Sequence, residues 1–206
     1  MAEITDISPQ AKDKERCNVY VDGSFYCGMK LETVVKYRLK TGSHIERERL
    51  DEIQLENEKS QALDKALTHI SAAMKTEKQM RDFLKKKGYL PAVCDYVIAK
   101  LREYAFVDDA QYCEQYVETA GKRMGGRRIA LELKKRGASE ESIAAALENL
   151  GGEEEAAREV LAKYMRHKEG TRENYVRAFR HLMSRGFSAD VAKDALASLG
   201  AEEEED

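Results

Sequence analysis

The segment KRMGGRRIALELKKRG, Lys122 to Gly137, joins two adjacent glycines to seven basic residues. Glycines ahead of a basic helix are one way to build an anion site, because backbone N–H groups at a helix start can converge on phosphate. A nucleotide-phosphate loop also needs a preceding strand and the pattern GxxxxGK[ST]. Here a helical pattern precedes Gly125, and no GK[ST] follows. The segment therefore does not compose a phosphate loop, and its chemistry is that of a cationic surface.

The other reactive residue types are dispersed. His44, His69, His167 and His181 form no HxxxH pair, which predicts packing or surface roles rather than metal ligation. Cys17, Cys27, Cys94 and Cys113 contain no CxxC pair and read as reduced, semi-buried thiols. Asp108-Asp109 stands where a helix begins, with Gln111 three residues after Asp108, the spacing of a capping box. No Ser, Cys or Lys nucleophile has a local signature. The expectation is a protein that is not an enzyme, with no catalytic residue, no metal and no cofactor.

The elements that carry the basic segment follow from composition and period. Of 206 residues, 35% are charged and 42% hydrophobic, with two prolines and no tryptophan, a balance that favours solvated helices. No apolar run reaches membrane-span length, and MAEITDISPQ lacks the layout of a signal peptide, so a cytoplasmic protein is expected. Net charge is -3, yet the terminal EEEED carries five negative charges, leaving the remainder net positive. A run of this kind reads as a disordered tail that solvates the chain or screens a basic face.

RDFLKKKG, LELKKRG and RHLMSRG end at Gly88, Gly137 and Gly186, a spacing of 49 residues. Leu84, Leu133 and Leu182 share a register, as do Ile98, Leu147 and Leu196, then Leu101, Leu150 and Leu199. Self-similarity at this period means a repeated supersecondary unit. Each copy reads as three helices. In the middle copy Asp108 caps the first, whose stripe is Tyr112, Cys113, Tyr116, Val117 and Ala120. Gly125-Gly126 separates it from a second helix over 127–136, Gly137 is a left-handed stop, and Ser139 caps the third. Thr76 with Gln79, and Ser188, supply caps in the flanking copies; the third copy has a longer first linker.

The N-terminal quarter differs. NVYVDGSFYCGM alternates around Asp22-Gly23, a hairpin signal. LETVVKYRLKTG fits strand or helix, and helix is favoured with Gly42 as its stop. The expected fold is mainly α: three tandem three-helix repeats behind a small β-hairpin-plus-helix extension. The divisions are 1–56 for the extension, 57–106, 107–151 and 152–200 for the repeats, and 201–206 for the acidic tail.

Lys122, Arg123, Arg127, Arg128, Lys134, Lys135 and Arg136 then form a basic ridge, tempered by Glu132. Lys85, Lys86 and Lys87 occupy the matching place in the first copy, and Arg177, Arg180 and Arg185 lie around it in the third. Such a surface suits a phosphate backbone or an acidic protein groove. Two readings stay open beside this: a stand-alone nucleic-acid-binding helical module acting through phosphate contacts, and an α-solenoid scaffold.

FVDDAQYCEQYV followed by GGRRIALELKKRG resembles the RecX regulatory proteins, whose middle repeat has an acidic pair, spaced aromatics and a G-x-x-R-I-x-x-E-L segment. Gly125, Arg128, Ile129, Glu132 and Leu133 fit that segment. ALTHISAAMKTEKQMRDFLKKKGY is similar to the family's first repeat, and the N-terminal hairpin-then-helix to its extended members. The chain departs at Lys75 and Gln79, where Arg and Glu are commoner, at Gly126, where proline is frequent, and at Arg136, where lysine is usual. The resemblance implies a monomeric regulator that binds the RecA recombinase filament on DNA and inhibits its ATPase, growth and strand exchange. The tandem repeats then give an elongated, curved body; charge and spacing, rather than any motif of the family, turn the ridge toward RecA or single- or double-stranded DNA, and no membrane contact is expected.

Overall fold

A computed structural model describes residues 1–11 and 13–205, with side chains described through Leu199. The chain forms two compact units, one of residues 1–73 with 83–103, the other of residues 74–82 with 104–206.

The first unit opens on an antiparallel sheet of order β3-β2-β1-β4, from β1 (Ala2–Gln10), β2 (Asp13–Val21), β3 (Ser24–Lys30) and β4 (His44–Ile45). Period-2 alternation puts Ala2, Ile4, Cys17, Val19, Val21, Cys27 and Met29 on one buried face. Asp22 and Gly23 make the expected two-residue turn, both in the left-handed region at φ 49° and 77°. The sequence reading had the β2–β3 hairpin but not β1, which pairs with β2 along its length and interrupts its alternation at Asp6.

The helix expected up to Gly42 is shorter. α1 (Leu31–Lys36) stops before Arg38, a residue at φ 51°, and Gly42 serves a later turn at φ 82° instead. Val34 of α1 and the following Leu39 still join the sheet's core, so the apolar spacing was real although the helix ends early. α2 (Arg47–Ser71) runs unbroken through residues 56 and 57. Leu50 and Ile53 in its first half close the sheet core, and its buried Asn57 bonds through both ends of its amide. Asn57 Oδ1 accepts from the Lys30 N–H at 3.0 Å, and its amide donates to the Gly28 carbonyl at 3.2 Å.

Three three-helix repeats follow, the latter half of α2 opening the first. They comprise α3 (Glu77–Lys86) and α4 (Pro91–Glu103); α5 (Asp109–Gly121), α6 (Gly126–Arg136) and α7 (Glu140–Glu148); and α8 (Glu153–Met165), α9 (Arg172–Ser184) and α10 (Ala189–Glu205). The caps are those expected. Asp108 Oδ1 accepts from the Ala110 and Gln111 N–H groups, Ser139 Oγ from Ser142, and Ser188 Oγ from Val191. Thr76 and Gln79 form a reciprocal capping box at 3.0 and 3.2 Å. Gly88, Gly137 and Gly186 are left-handed at φ 87°, 90° and 93°. The predicted stripe of α5, the Ile143, Ala146 and Leu147 face of α7 and Leu150 just beyond it meet Ile129 and Leu133 in one core. The linker from Arg166 to Thr171 accounts for the looser third copy. The backbone of α10 continues to Glu205, so the acidic run is helical up to there; its side chains and Asp206 lie outside the described residues, and so does any screening role.

Candidate functional site

The second helix of each repeat ends in the same way, and in the second unit those ends are used by the neighbouring repeat. A helix leaves its last carbonyls without intrahelical partners. The Thr76 hydroxyl, at the start of α3, donates to the Arg136 carbonyl at 2.5 Å, and Lys78 Nζ donates to the Lys135 carbonyl at 3.3 Å. Forty-nine residues later, the Gly125 N–H at the start of α6 donates to the Arg185 carbonyl at 3.1 Å. The turn glycines let these parts approach. A Cβ on Gly137 would lie 2.4 Å from Lys78 Cβ, and one on Gly186 would lie 2.4 Å from the Arg128 backbone.

Gly125 has an ordinary extended conformation, φ -78° and ψ 161°. It is glycine for space, since its Cβ would stand 2.4 Å from the Gly186 carbonyl oxygen. The glycine pair is thus a packed joint rather than a flexible one. Beside it the Gly126 N–H donates to Glu153 Oε1 at 2.7 Å. The start of α6, where an anion would have bound, already holds a carboxylate of the next repeat.

The seven ridge residues divide into two kinds. Glu132 gathers Arg128 at 2.9 Å, Lys135 at 3.7 Å and Arg136 at 3.9 Å. Arg136 also stacks over Tyr116, 4.3 Å from the ring centre, and the tyrosine, with Tyr112 and Glu132, raises its pKa against the lowering effect of burial. Arg128 and Arg136 are half-buried and partly structural. Lys134 is exposed and pairs with Glu140, which holds the Glu140 carboxyl below its usual pKa. Lys122, Arg123 and Arg127 are exposed, with no ion-pair partner among the described residues. In the third repeat Arg177 pairs with Glu173, Arg180 is exposed, and Arg185 gives its carbonyl to the joint. In the first unit Lys85, Lys86 and Lys87 are all exposed at the end of α3.

The histidines and acids take local roles. His69 stacks on Phe83 at 4.0 Å, and His181 on Tyr164 at 4.4 Å. Asp109, beside the capping Asp108, accepts from the Glu77 N–H at 2.8 Å. All four cysteines are free and buried. Among the described residues no group of three His, Cys, Asp or Glu is placed to hold a metal ion, and no helix is long and apolar enough to cross a membrane. Sequence reasoning named the ridge residues but missed the joint between repeats. Its signal was present in the paired spacing of Thr76 and Gly125 with Arg136 and Arg185.

These features define a class: a helical-repeat protein with a small antiparallel sheet at its N-terminus and one strongly basic helix at the middle of its repeat array. Family models match along almost all of it: the regulatory protein RecX N-terminal domain at residues 2–46, and the first, second and third RecX three-helix domains at 62–101, 108–147 and 152–196. The regulatory protein RecX of Bacillus subtilis (strain 168) is 32% identical over 213 residues, covering 100% of this chain and 80% of that one. That of Clostridium beijerinckii is 30% identical, covering 100% of both. A crystal structure of regulatory protein RecX superposes with a TM-score of 0.67 at 25% identity, over 94% of this chain and 98% of the other. The chain belongs to the RecX family of regulatory proteins.

Proposed function

We propose that this chain is a non-enzymatic regulator that binds the RecA–DNA filament and inhibits RecA ATP hydrolysis, filament growth and strand exchange. That places it in the cytoplasm, in homologous recombination, DNA repair and the SOS response, acting as a monomer. The observation that carries the reading is family membership over the whole length of the chain. The exposed cations Lys122, Arg123, Arg127 and Lys134 support an anionic partner surface, with the second-helix cations of the other repeats as further contacts.

The alternative is a stand-alone nucleic-acid-binding helical module acting through phosphate contacts; the joint bears only on base reading from the start of α6. A helix-turn-helix reader presents the N-terminal residues of its second helix to base edges. Here the start of α6 is closed by Gly186 and Glu153. Phosphate contact by the exposed cations stays open to it, and that contact carries no sequence information.

The test is RecA ATP hydrolysis and strand exchange on single-stranded DNA with substoichiometric amounts of this protein. Inhibition is expected, and its absence at every concentration sinks the reading. Salt-sensitive DNA binding without any effect on RecA would promote the alternative. Charge reversal at Arg127, Arg128, Lys134 and Lys135 is expected to weaken inhibition with the fold retained. Unchanged inhibition would make the ridge ordinary solvated surface.

A further inference from the structure

The Gly28 carbonyl is offered more hydrogen-bond donors than it can use. It takes the Asn57 amide at 3.2 Å, Arg16 Nη2 at 3.4 Å and Gln61 Nε2 at 3.4 Å. A carbonyl has two lone pairs, and 3.4 Å is beyond the usual length of such a bond. Arg16 and Gln61 therefore keep donor capacity that the protein leaves unfilled. The Arg16 Nε is closed off from solvent and donates to nothing among the described residues, where no carboxylate pairs with the guanidinium either. Across the β2–β3 ladder Arg16 stands directly opposite Lys30, a like-charge pair that costs stability unless each cation is matched. Lys30 is matched: its ammonium donates to Asp64 and, at 2.9 Å, to Ser60, with one hydrogen left over. Both cations line one cavity of about 640 Å³, with Gln61 and Lys65 of α2 on its helical side. Enclosed donors without acceptors call for a bound ion or water. The acids of the cavity do not answer them. Asp64 is held by Lys30, Asp13 Oδ1 accepts the Glu15 N–H, and Glu15 and Glu32 are exposed.

We propose that this cavity binds a phosphate group, free or carried by a small molecule, with Arg16, Gln61, Lys65 and the spare Lys30 hydrogen as its donors. These donors come from two strands and a helix, which suits the tetrahedral oxygens of a phosphate better than the planar pair of a carboxylate. The volume lies in the range of small-molecule sites and leaves room for what carries the phosphate. Glu15 and Glu32 would repel a continuous polyanion, so the cavity is not a stretch of nucleic-acid surface. It lies wholly in the sheet-bearing unit and is independent of the RecA reading.

The test is isothermal titration calorimetry of the full chain with inorganic phosphate, adenosine monophosphate and, as a carboxylate control, acetate, at one pH and ionic strength. One-to-one binding of phosphate or the nucleotide is expected, with acetate about tenfold weaker or worse. Tighter binding of the nucleotide identifies a phosphorylated molecule as the ligand, and equal binding identifies the free anion. Arg16→Met should weaken binding about tenfold, the loss of one charge-assisted contact. Circular dichroism and thermal melting control for folding, and Lys65→Glu, at an exposed position, serves if Arg16→Met fails to fold. Absence of binding by phosphate and nucleotide at about 10 mM overturns the site, as does binding that a folded variant retains unchanged. Acetate as tight as phosphate overturns it in favour of a carboxylate. A single-stranded oligonucleotide that binds more tightly than the nucleotide, and is released by Arg16→Met, overturns it in favour of a nucleic-acid groove.

Discussion

The Thr76 hydroxyl donates to the Arg136 carbonyl across 2.5 Å, tying the start of α3 to the end of α6. The same hydroxyl accepts from the Gln79 N–H, so one side chain caps its own helix and satisfies an end carbonyl of the next repeat. Helix propensity alone would leave both groups to water. In this way a local cap signal becomes a bond between the start of one second helix and the end of the next, and the pair at 125 and 185 achieves it with a backbone N–H instead.

Thr76 is fully buried, so removing its hydroxyl leaves the Arg136 carbonyl and the Gln79 N–H without that partner. Thr76→Val is expected to destabilise by about 2 kcal/mol in urea unfolding, since a lost cap and an unsatisfied carbonyl each cost about 1 kcal/mol. Thr76→Ser keeps both bonds and should stay within about 1 kcal/mol of wild type. A loss in Thr76→Ser with Thr76→Val unchanged would show that the methyl group matters and the hydroxyl does not.

The glycines separate space from backbone conformation. Gly125→Ala is expected to cost about 3 kcal/mol, because its Cβ meets the Gly186 backbone, which cannot rotate away. Gly88→Ala meets nothing within 4 Å and should cost only the left-handed penalty, about 1 kcal/mol. Gly151→Ala, with open space and no positive φ, should be near neutral. Thermal unfolding of the three variants checks the order, and a neutral Gly125→Ala would refute the packed joint.

The repeats were legible because their signals are local: capping oxygens, apolar spacing and stop glycines act within about ten residues of sequence. Asp108, Ser139, Ser188 and Gly137 all do what their spacing requires. β1 was not legible, because a strand is defined by its partner and Asp6 interrupts its alternation. The end of α1 was not either, since Arg38 turns at a positive φ that its residue type does not announce. At the site, the charges were readable and their division was not. Arg128 and Arg136 differ from Arg127 only in which side of α6 faces Glu132 and Tyr116.

Glu132 restrains three of the ridge cations. If the ridge meets an anionic partner, Glu132→Gln is expected to tighten filament binding by roughly two- to fivefold at low salt, the scale of exposed ion pairs. The gain should fade as salt rises, because these charges are partly exposed. Weaker binding at low salt with an unchanged melting temperature would count against the ridge as a contact surface.

His181 gives the chain a pH-dependent element. Burial lowers its pKa below the usual 6.5, and the nearby Arg185 and Lys168 charges lower it further. The unfolded chain then binds a proton more readily than the folded one between the folded pKa and 6.5. Stability should therefore rise with pH through that window, and be lost as pH falls from 6.5 through the folded value. His181→Phe keeps the stack on Tyr164 and removes the titration, so the wild-type and variant melting curves should converge above pH 7 and separate near pH 5. A difference independent of pH would assign His181 a packing role only.

The cysteines give a test of how tightly both units close. Burial raises the thiols of Cys17, Cys27 and Cys113, that of Cys27 to about 11, with Cys17 and Glu58 adding to it. Cys94 lies 3.6 Å from the Tyr89 carbonyl and is likewise buried. The thiolate is the reactive form, so at pH 8 the folded chain should react slowly with a chromogenic disulfide at all four positions. Four equivalents should appear at once in guanidinium. Labelling of the native protein then proceeds through opening, and its rate should rise in Gly125→Ala at Cys113, in the core that contains α6, before it rises at Cys17 and Cys27 in the sheet. Rapid labelling of native Cys27 would contradict both its burial and its raised pKa. Simultaneous acceleration at all four thiols in Gly125→Ala would mean that the sheet and the middle repeat open together.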